Sequence, residues 1–133
     1  MDEVLQLLRA ARVFYFATTE DGQPRVRPFG FAMVFEGKLY FTTGNKKPVY
    51  RQLQADPRVE MSGMVSESDW IRLSGKAVFD GSMAAKKKAF ELYPGFAGLY
   101  GTPESPDFEV FYLQDGEAQV WAYGNRVPRT IKL

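Results

Sequence analysis

The residues best suited to chemistry lie between Tyr40 and Arg58, reading Tyr-Phe-Thr-Thr-Gly-Asn-Lys-Lys-Pro-Val-Tyr-Arg-Gln-Leu-Gln-Ala-Asp-Pro-Arg. A strand ends in Thr42 and Thr43, turns on Gly44-Asn45, and presents Lys46 and Lys47 before Pro48 opens a helix. Hydroxyl, amide and ammonium donors converge where a helix begins, and its free N–H groups and dipole favour an anion such as a phosphate. The plainer alternative is a polar turn in which Asn45 caps the helix and both lysines are solvated; taken by itself, the spacing tilts that way.

Two further segments carry polar groups on strands. In Pro24-Arg25-Val26-Arg27-Pro28-Phe29-Gly30-Phe31, Arg25 and Arg27 share one face and Val26 the other. Pro28 removes a donor and Gly30 admits close approach to the backbone, so a flat ring fits there as well as an ordinary edge strand guarded by charge and Pro. In Asp69-Trp70-Ile71-Arg72-Leu73-Ser74-Gly75, Ile71 and Leu73 face a core, while Trp70 and Arg72 set an aromatic platform beside a cation on the other face. The competing role for Trp70 is covering a barrel mouth. The Lys86–Lys88 run reads as a solvated helix face. Phe90, Leu92, Tyr93, Phe96, Leu99 and Tyr100 read as core or interface. Asp107, Glu109, Glu60 and Asp80 lie on separate elements and form no catalytic carboxylate pair.

Composition narrows the chemistry. The chain has 133 residues, no Cys and no His. That excludes disulfides, thiolate nucleophiles, Cys- or His-ligated metal and a histidine general base. A net charge of +1 supplies no global field toward nucleic acid or a membrane surface. The N-terminus, Met1-Asp2-Glu3-Val4, is acidic where a secretory signal is basic, and no apolar run reaches the roughly 18 residues of a membrane span. A cytoplasmic protein that binds neither nucleic acid nor membrane is expected.

The elements that must position these residues follow from periodicity. Val4, Leu5, Leu7, Leu8 and Ala11 predict an amphipathic helix over 2–11. Strands are expected at 13–19, 25–35 and 38–43, joined by turns at Asp21-Gly22 and Glu36-Gly37 into an antiparallel meander. A short helix over 48–55 stops at Asp56-Pro57. Strands follow at 59–65 and 70–79, with a bulge or close backbone approach at Ser74-Gly75. Ser82 caps a helix running to about Tyr93, ended by Pro94-Gly95. Residues 100–107 read as a loop, 108–113 and 118–123 as two strands around 114–117, and 124–133 as an irregular basic tail. The expected fold is one domain over residues 1–133. It is mainly β (α+β), a six- to seven-stranded antiparallel split β-barrel with three short helices.

Together these segments resemble the pyridoxamine 5′-phosphate oxidase-related family of FMN-binding split barrels, in particular its small bacterial members. The resemblance spans about residues 4–123. It is carried by Ala17-Thr18 before Gly22-Gln23-Pro24, by Arg27-Pro28, by Thr42 to Leu53, by Asp56-Pro57, and by Trp70-x-Arg72-Leu73-Ser74-Gly75. It moves the balance at Asn45-Lys46-Lys47 to phosphate binding, since that run aligns with the family's phosphate-binding segment. It implies FMN as cofactor, Arg27 in contact with the flavin, and the backbone of Pro28, Phe29 and Gly30 along its ring. Thr42 or Thr43 matches the family's Thr. Trp70 stands where the family has a flavin-contacting Gln. A homodimer is implied, with Trp70 and Arg72 acting on the partner's site. Tyr50, Trp70 and Tyr100 are candidates for the substrate side.

The full candidate cofactor-binding set is Arg25, Arg27, Pro28, Phe29, Gly30, Thr42, Thr43, Asn45, Lys46, Lys47, Trp70 and Arg72; no catalytic side chain or metal ligand stands out. The expected activity is exchange of hydride or electrons between FMN and an unidentified small molecule. Alternatives are a non-catalytic flavin binder or sensor and a deazaflavin-dependent reductase whose basic groove draws on Lys46, Lys47 and Arg51. True pyridoxamine 5′-phosphate oxidases carry a C-terminal Arg-x-His motif. This chain has no His, so efficient oxidation of that substrate is not expected.

Overall fold

The computed structural model describes residues 1–133. Its strands are β1 (Phe14–Glu20), β2 (Gln23–Phe29), β3 (Met33–Phe35), β4 (Lys38–Gly44), β5 (Arg58–Met64), β6 (Trp70–Asp80), β7 (Phe108–Trp121) and β8 (Arg129–Lys132). The helices are α1 (Asp2–Ala11), α2 (Pro48–Ala55), α3 (Met83–Leu92) and α4 (Phe96–Tyr100). All strand pairings are antiparallel. The order is β2-β1-β5-β6-β7-β4-β3, with β8 added beside β7. The sheet does not close, so the expected split barrel holds and a closed one does not.

The expected meander is corrected. Residues 25–35 are not one strand: the ladder stops at Phe29 and resumes at Met33, on the opposite end of the sheet path. Both hairpins form as expected. Asp21 and Gly22 take φ of 50° and 82°, and Glu36 and Gly37 take 49° and 72°. These are the positive-φ pairs of two-residue turns that match strand twist. β2 is an edge, paired only with β1, which is why Pro24 and Pro28 cost it no ladder bond.

Three other expectations change. Residues 108–121 form one strand, not two. Its first part pairs with β4 through Phe108 to Tyr112, and its last part pairs with β8 through Glu117 to Val120. The change of neighbour falls at an irregularity opposite Gly75, where Ser74 pairs Glu117 but Lys76 pairs Gln114. Asp115 there has φ 55°. The bulge expected at Ser74-Gly75 is present, and it is where the barrel splits. The tail is not irregular: Arg129–Lys132 pairs with β7, and Leu133 N–H donates to Gly116 O at 3.0 Å. A fourth helix, α4, forms directly after Pro94-Gly95.

The main core joins α1 (Val4, Leu5, Leu8) to Phe14, Phe16, Phe41, Leu73 and Phe111 of the sheet and to Val49 and Leu53 of α2. A second core under α3 and α4 gathers Met33, Tyr40, Ala85, Ala89, Phe96 and Phe108. Ser82 Oγ accepts from Ala85 N–H at 3.1 Å and so caps α3, as its sequence requires. No helix is long and apolar enough to cross a membrane.

Candidate functional site

A cleft of about 360 Å³ opens where the chain leaves β2 and where β4 runs into α2. Arg27 to Phe31, Thr42, Thr43, Lys47 and Val49 line it, and Tyr93, Phe96, Leu99 and Tyr100 complete its aromatic side. A second lobe of about 700 Å³ shares Arg27, Pro28, Lys47 and Val49 and adds Glu20, Arg25, Val26, Pro48, Arg51 and Gln52. The site is therefore two-sided: cationic at the head of α2, aromatic beneath α4.

The head of α2 is left open. Its N-cap is Lys47, in extended conformation, with no side-chain cap and Pro48 at the first position. The capping role considered for Asn45 is not what the structure shows: Asn45 Nδ2 donates to Pro106 O at 2.6 Å and to Glu109 Oε1 at 3.2 Å, tying β4 to the loop before β7. An uncapped N-terminus leaves N–H groups unpaired and a positive dipole end for an anion. Thr43 adds to this. It is 3% exposed, lines the cleft, and its Oγ1 is buried without a partner. An unpaired buried hydroxyl costs about 1–3 kcal/mol, and a ligand atom in the cleft would offset that cost.

Arg27 is held from behind. Its guanidinium donates to Gln52 Oε1 at 2.6 Å and to Phe16 O at 3.0 Å. Gln52 Oε1 also accepts from Thr18 Oγ1 at 2.5 Å, and Gln52 Nε2 donates to Glu20 Oε2 at 3.2 Å. Glu20 in turn pairs with Arg25 at 3.4 Å. Burial pulls the Arg27 guanidinium below its ordinary pKa, while the Glu20 charge opposes that shift. At neutral pH Arg27 still carries its charge, as an arginine does.

Tyr100 closes the other side. An added Cβ at Gly44 would lie 3.0 Å from the Tyr100 hydroxyl, so the glycine makes room for it. Burial, then the Asp107 charge, raises the Tyr100 pKa, which keeps its hydroxyl protonated and able to donate.

Of the sequence candidates, Arg25, Arg27, Pro28, Phe29, Gly30, Thr42, Thr43 and Lys47 meet in these two lobes. Lys46 is exposed outside both, and Asn45 is spent on the loop. Trp70 and Arg72 are not brought to the cleft within one chain. Trp70 stacks on Trp121 at 5.4 Å and 5°, and the Arg72 guanidinium lies 5.1 Å from the Trp70 ring and 5.8 Å from that of Trp121. Ile71 and Leu73 are buried between them in sequence, so this platform faces outward. Trp70 therefore stacks outside the barrel and does not cover its mouth. Tyr50 packs on Phe79 and lies outside the cleft, whereas Tyr100 lines it.

Sequence reasoning missed Gln52, Trp121 and the cleft role of Tyr93 and Leu99. Gln52 could have been found, because it sits with Val49 and Leu53 on the buried face of α2 and a polar residue at such a position needs partners. Trp121 is found only through its register with Trp70.

Residues 1–122 match the model of the pyridoxamine 5′-phosphate oxidase family. No curated protein matches the chain. Among solved structures, a NimC/NimA family protein from Clostridium acetobutylicum is 37% identical, with TM-score 0.93 over 100% of this chain and 92% of that one. General stress protein 26 from Bacillus anthracis superposes with TM-score 0.75 at 16% identity, covering 99% of this chain and 97% of that one. A pyridoxamine 5′-phosphate oxidase-related, FMN-binding protein from Nostoc punctiforme does so with TM-score 0.66 at 18% identity, covering 97% and 87%. The last two likenesses concern the fold alone. By the match over most of its length, this chain belongs to the pyridoxamine 5′-phosphate oxidase family.

Proposed function

We propose that the cleft holds FMN and that the protein is an oxidoreductase working as a homodimer. The observation that carries this is the buried, unpartnered Thr43 hydroxyl in the cleft that Lys47 and the uncapped head of α2 also border. These donors suit a phosphate, and Arg25, Arg27 and Arg51 extend the positive charge along the second lobe. The FMN-binding protein from Nostoc with the same fold points the same way.

When bound, FMN supplies hydride and electron transfer, and the chain supplies binding and orientation. Lys47 makes a charge-assisted contact to phosphate. Arg27, steadied by Gln52, presents fixed positive charge to the ring. Pro28, lacking an N–H, leaves the β2 edge free of a donor where the ring would lie. Within the cleft no carboxylate stands ready to take a substrate proton.

A second subunit would lie against the outward sheet face. Exposed Tyr15 and Met64 stand there with the Trp70–Trp121 stack, an apolar surface that a second copy would bury. Arg72 on that face would then reach the partner's flavin.

An absorbance scan of the purified protein after FMN loading and desalting tests the cofactor. Retained flavin bands, diminished in Lys47→Ala, are expected. Failure of the wild-type protein to retain FMN, with retention of a deazaflavin instead, would replace the cofactor and keep the site.

A further inference from the structure

The aromatic side of the cleft is not needed to hold a phosphate. Tyr93 and Leu99 line it while remaining 50% and 71% exposed, which leaves apolar surface in water. Phe31 meets Phe96 edge-on at 5.0 Å, and Tyr93 meets Phe96 edge-on at 4.8 Å, so the wall is a braced set of rings. Its members carry no charge, and the cations of the site are Arg27 and Lys47 of the other wall.

Tyr93 is placed by its neighbour's lack of a side chain. Gly95 has φ −60° and ψ −20°, a conformation any residue adopts, so backbone freedom does not explain the glycine. Space does. An added Cβ would fall 2.6 Å from Tyr93 Cζ and 2.8 Å from its hydroxyl oxygen. The ring lies back over Gly95. Intrachain bonds occupy the hydroxyls of Tyr40 and Tyr50; those of Tyr93 and Tyr100, both lining the cleft, have none, and Tyr93 is the more exposed of the two.

We infer that Tyr93 is the specificity-determining residue of this site and that the substrate is an uncharged planar molecule. It packs edge or face against Tyr93 and Phe96 and takes a hydrogen bond from the Tyr93 hydroxyl. A negative charge on the ligand would meet this apolar wall without a cation on it and lose affinity by desolvation. The inference rests on FMN lying along the other wall of the cleft, formed by Arg27 to Gly30, Thr43 and Lys47.

The test uses equilibrium binding to the FMN-loaded, oxidised protein, with menadione as the uncharged planar probe and its 3-sulfonate, in which the quinone ring stays planar, as the charged one. Calorimetry should show menadione binding at least about tenfold tighter than the sulfonate. With FMN held at saturation, Tyr93→Ala should weaken menadione about tenfold through loss of ring contact and hydrogen bond. Gly95→Ala, which moves the ring without removing it, should also weaken menadione. Menadione binding equal in wild type and both variants, or equal binding of the two probes, would overturn the inference alone. Failure of the wild type to bind FMN at all would overturn both the flavin assignment and this inference.

Discussion

Arg27 and Gln52 form a single unit: the guanidinium donates to the buried Gln52 Oε1 at 2.6 Å, and the same oxygen accepts from Thr18. The cation of the cleft is thus anchored through α2 to β1, and not by its own strand alone. Gln52→Leu fills the space but removes the acceptor that Thr18 and one Arg27 N–H share, leaving Arg27 only its backbone acceptors Phe16 O and Arg25 O. It should destabilise the protein by about 1–3 kcal/mol, and FMN affinity should fall with it. Urea unfolding and FMN titration check this; wild-type values for both would remove Gln52 from the anchor.

Lys47 borders both lobes and is exposed, so its contribution is to binding and not to folding. Lys47→Ala should leave thermal stability of the apoprotein unchanged while weakening FMN about 10-fold, the size of one charge-assisted hydrogen bond. Screening supplies the second check. Rising salt should weaken FMN binding more in the wild type than in the variant. Equal salt slopes would mean that Lys47 does not face the phosphate.

The outward face offers a separate test. Met64 is exposed and pairs in register with Trp70. Met64→Arg should cost the single chain no more than about 0.5 kcal/mol, yet place a charge in the proposed subunit contact. Light scattering should show a dimer for the wild type and a monomer for the variant, with weaker FMN binding in the monomer. A wild-type monomer that binds FMN fully would separate the site from any partner.

Gly75 tests the split of the barrel. An added Cβ would lie 3.1 Å from Gln114 O and 3.4 Å from Gly116 Cα, both backbone atoms that cannot swing aside. Gly75→Ala should therefore cost about 1–3 kcal/mol, read as a lower urea midpoint. An unchanged midpoint would mean the bulge is soft.

Much of this was legible in the chain. The helix over 48–55, the two turn pairs, the Ser82 cap and the bulge at Gly75 all rest on local chemistry: Pro and Gly placement, a capping hydroxyl, paired positive φ. What local chemistry does not encode is which strands become neighbours. Residues 25–35 read as continuous because Pro28 and Gly30 also suit an edge strand, yet the chain crosses from one sheet edge to the other between Phe29 and Met33. The tail strand was hidden likewise, since Arg129–Lys132 gains its ladder only from the last part of β7. At the site, Arg27, Thr43 and Lys47 entered through the family resemblance, since spacing alone tilted toward a plain polar turn, and the structure brings the three to one cleft. Tyr93 did not enter, because aromatic residues on a helix serve cores far more often than clefts, and only its exposure distinguishes it.

The most direct test of the flavin site is an FMN titration of Thr43→Val. Valine keeps the shape and removes only the unpartnered hydroxyl, so the apoprotein should be at least as stable as the wild type. FMN affinity should fall about 5- to 10-fold, the value of one hydrogen bond gained on binding. Unchanged FMN affinity in a stable Thr43→Val protein would contradict the account, since the hydroxyl would then have no partner in the bound state either.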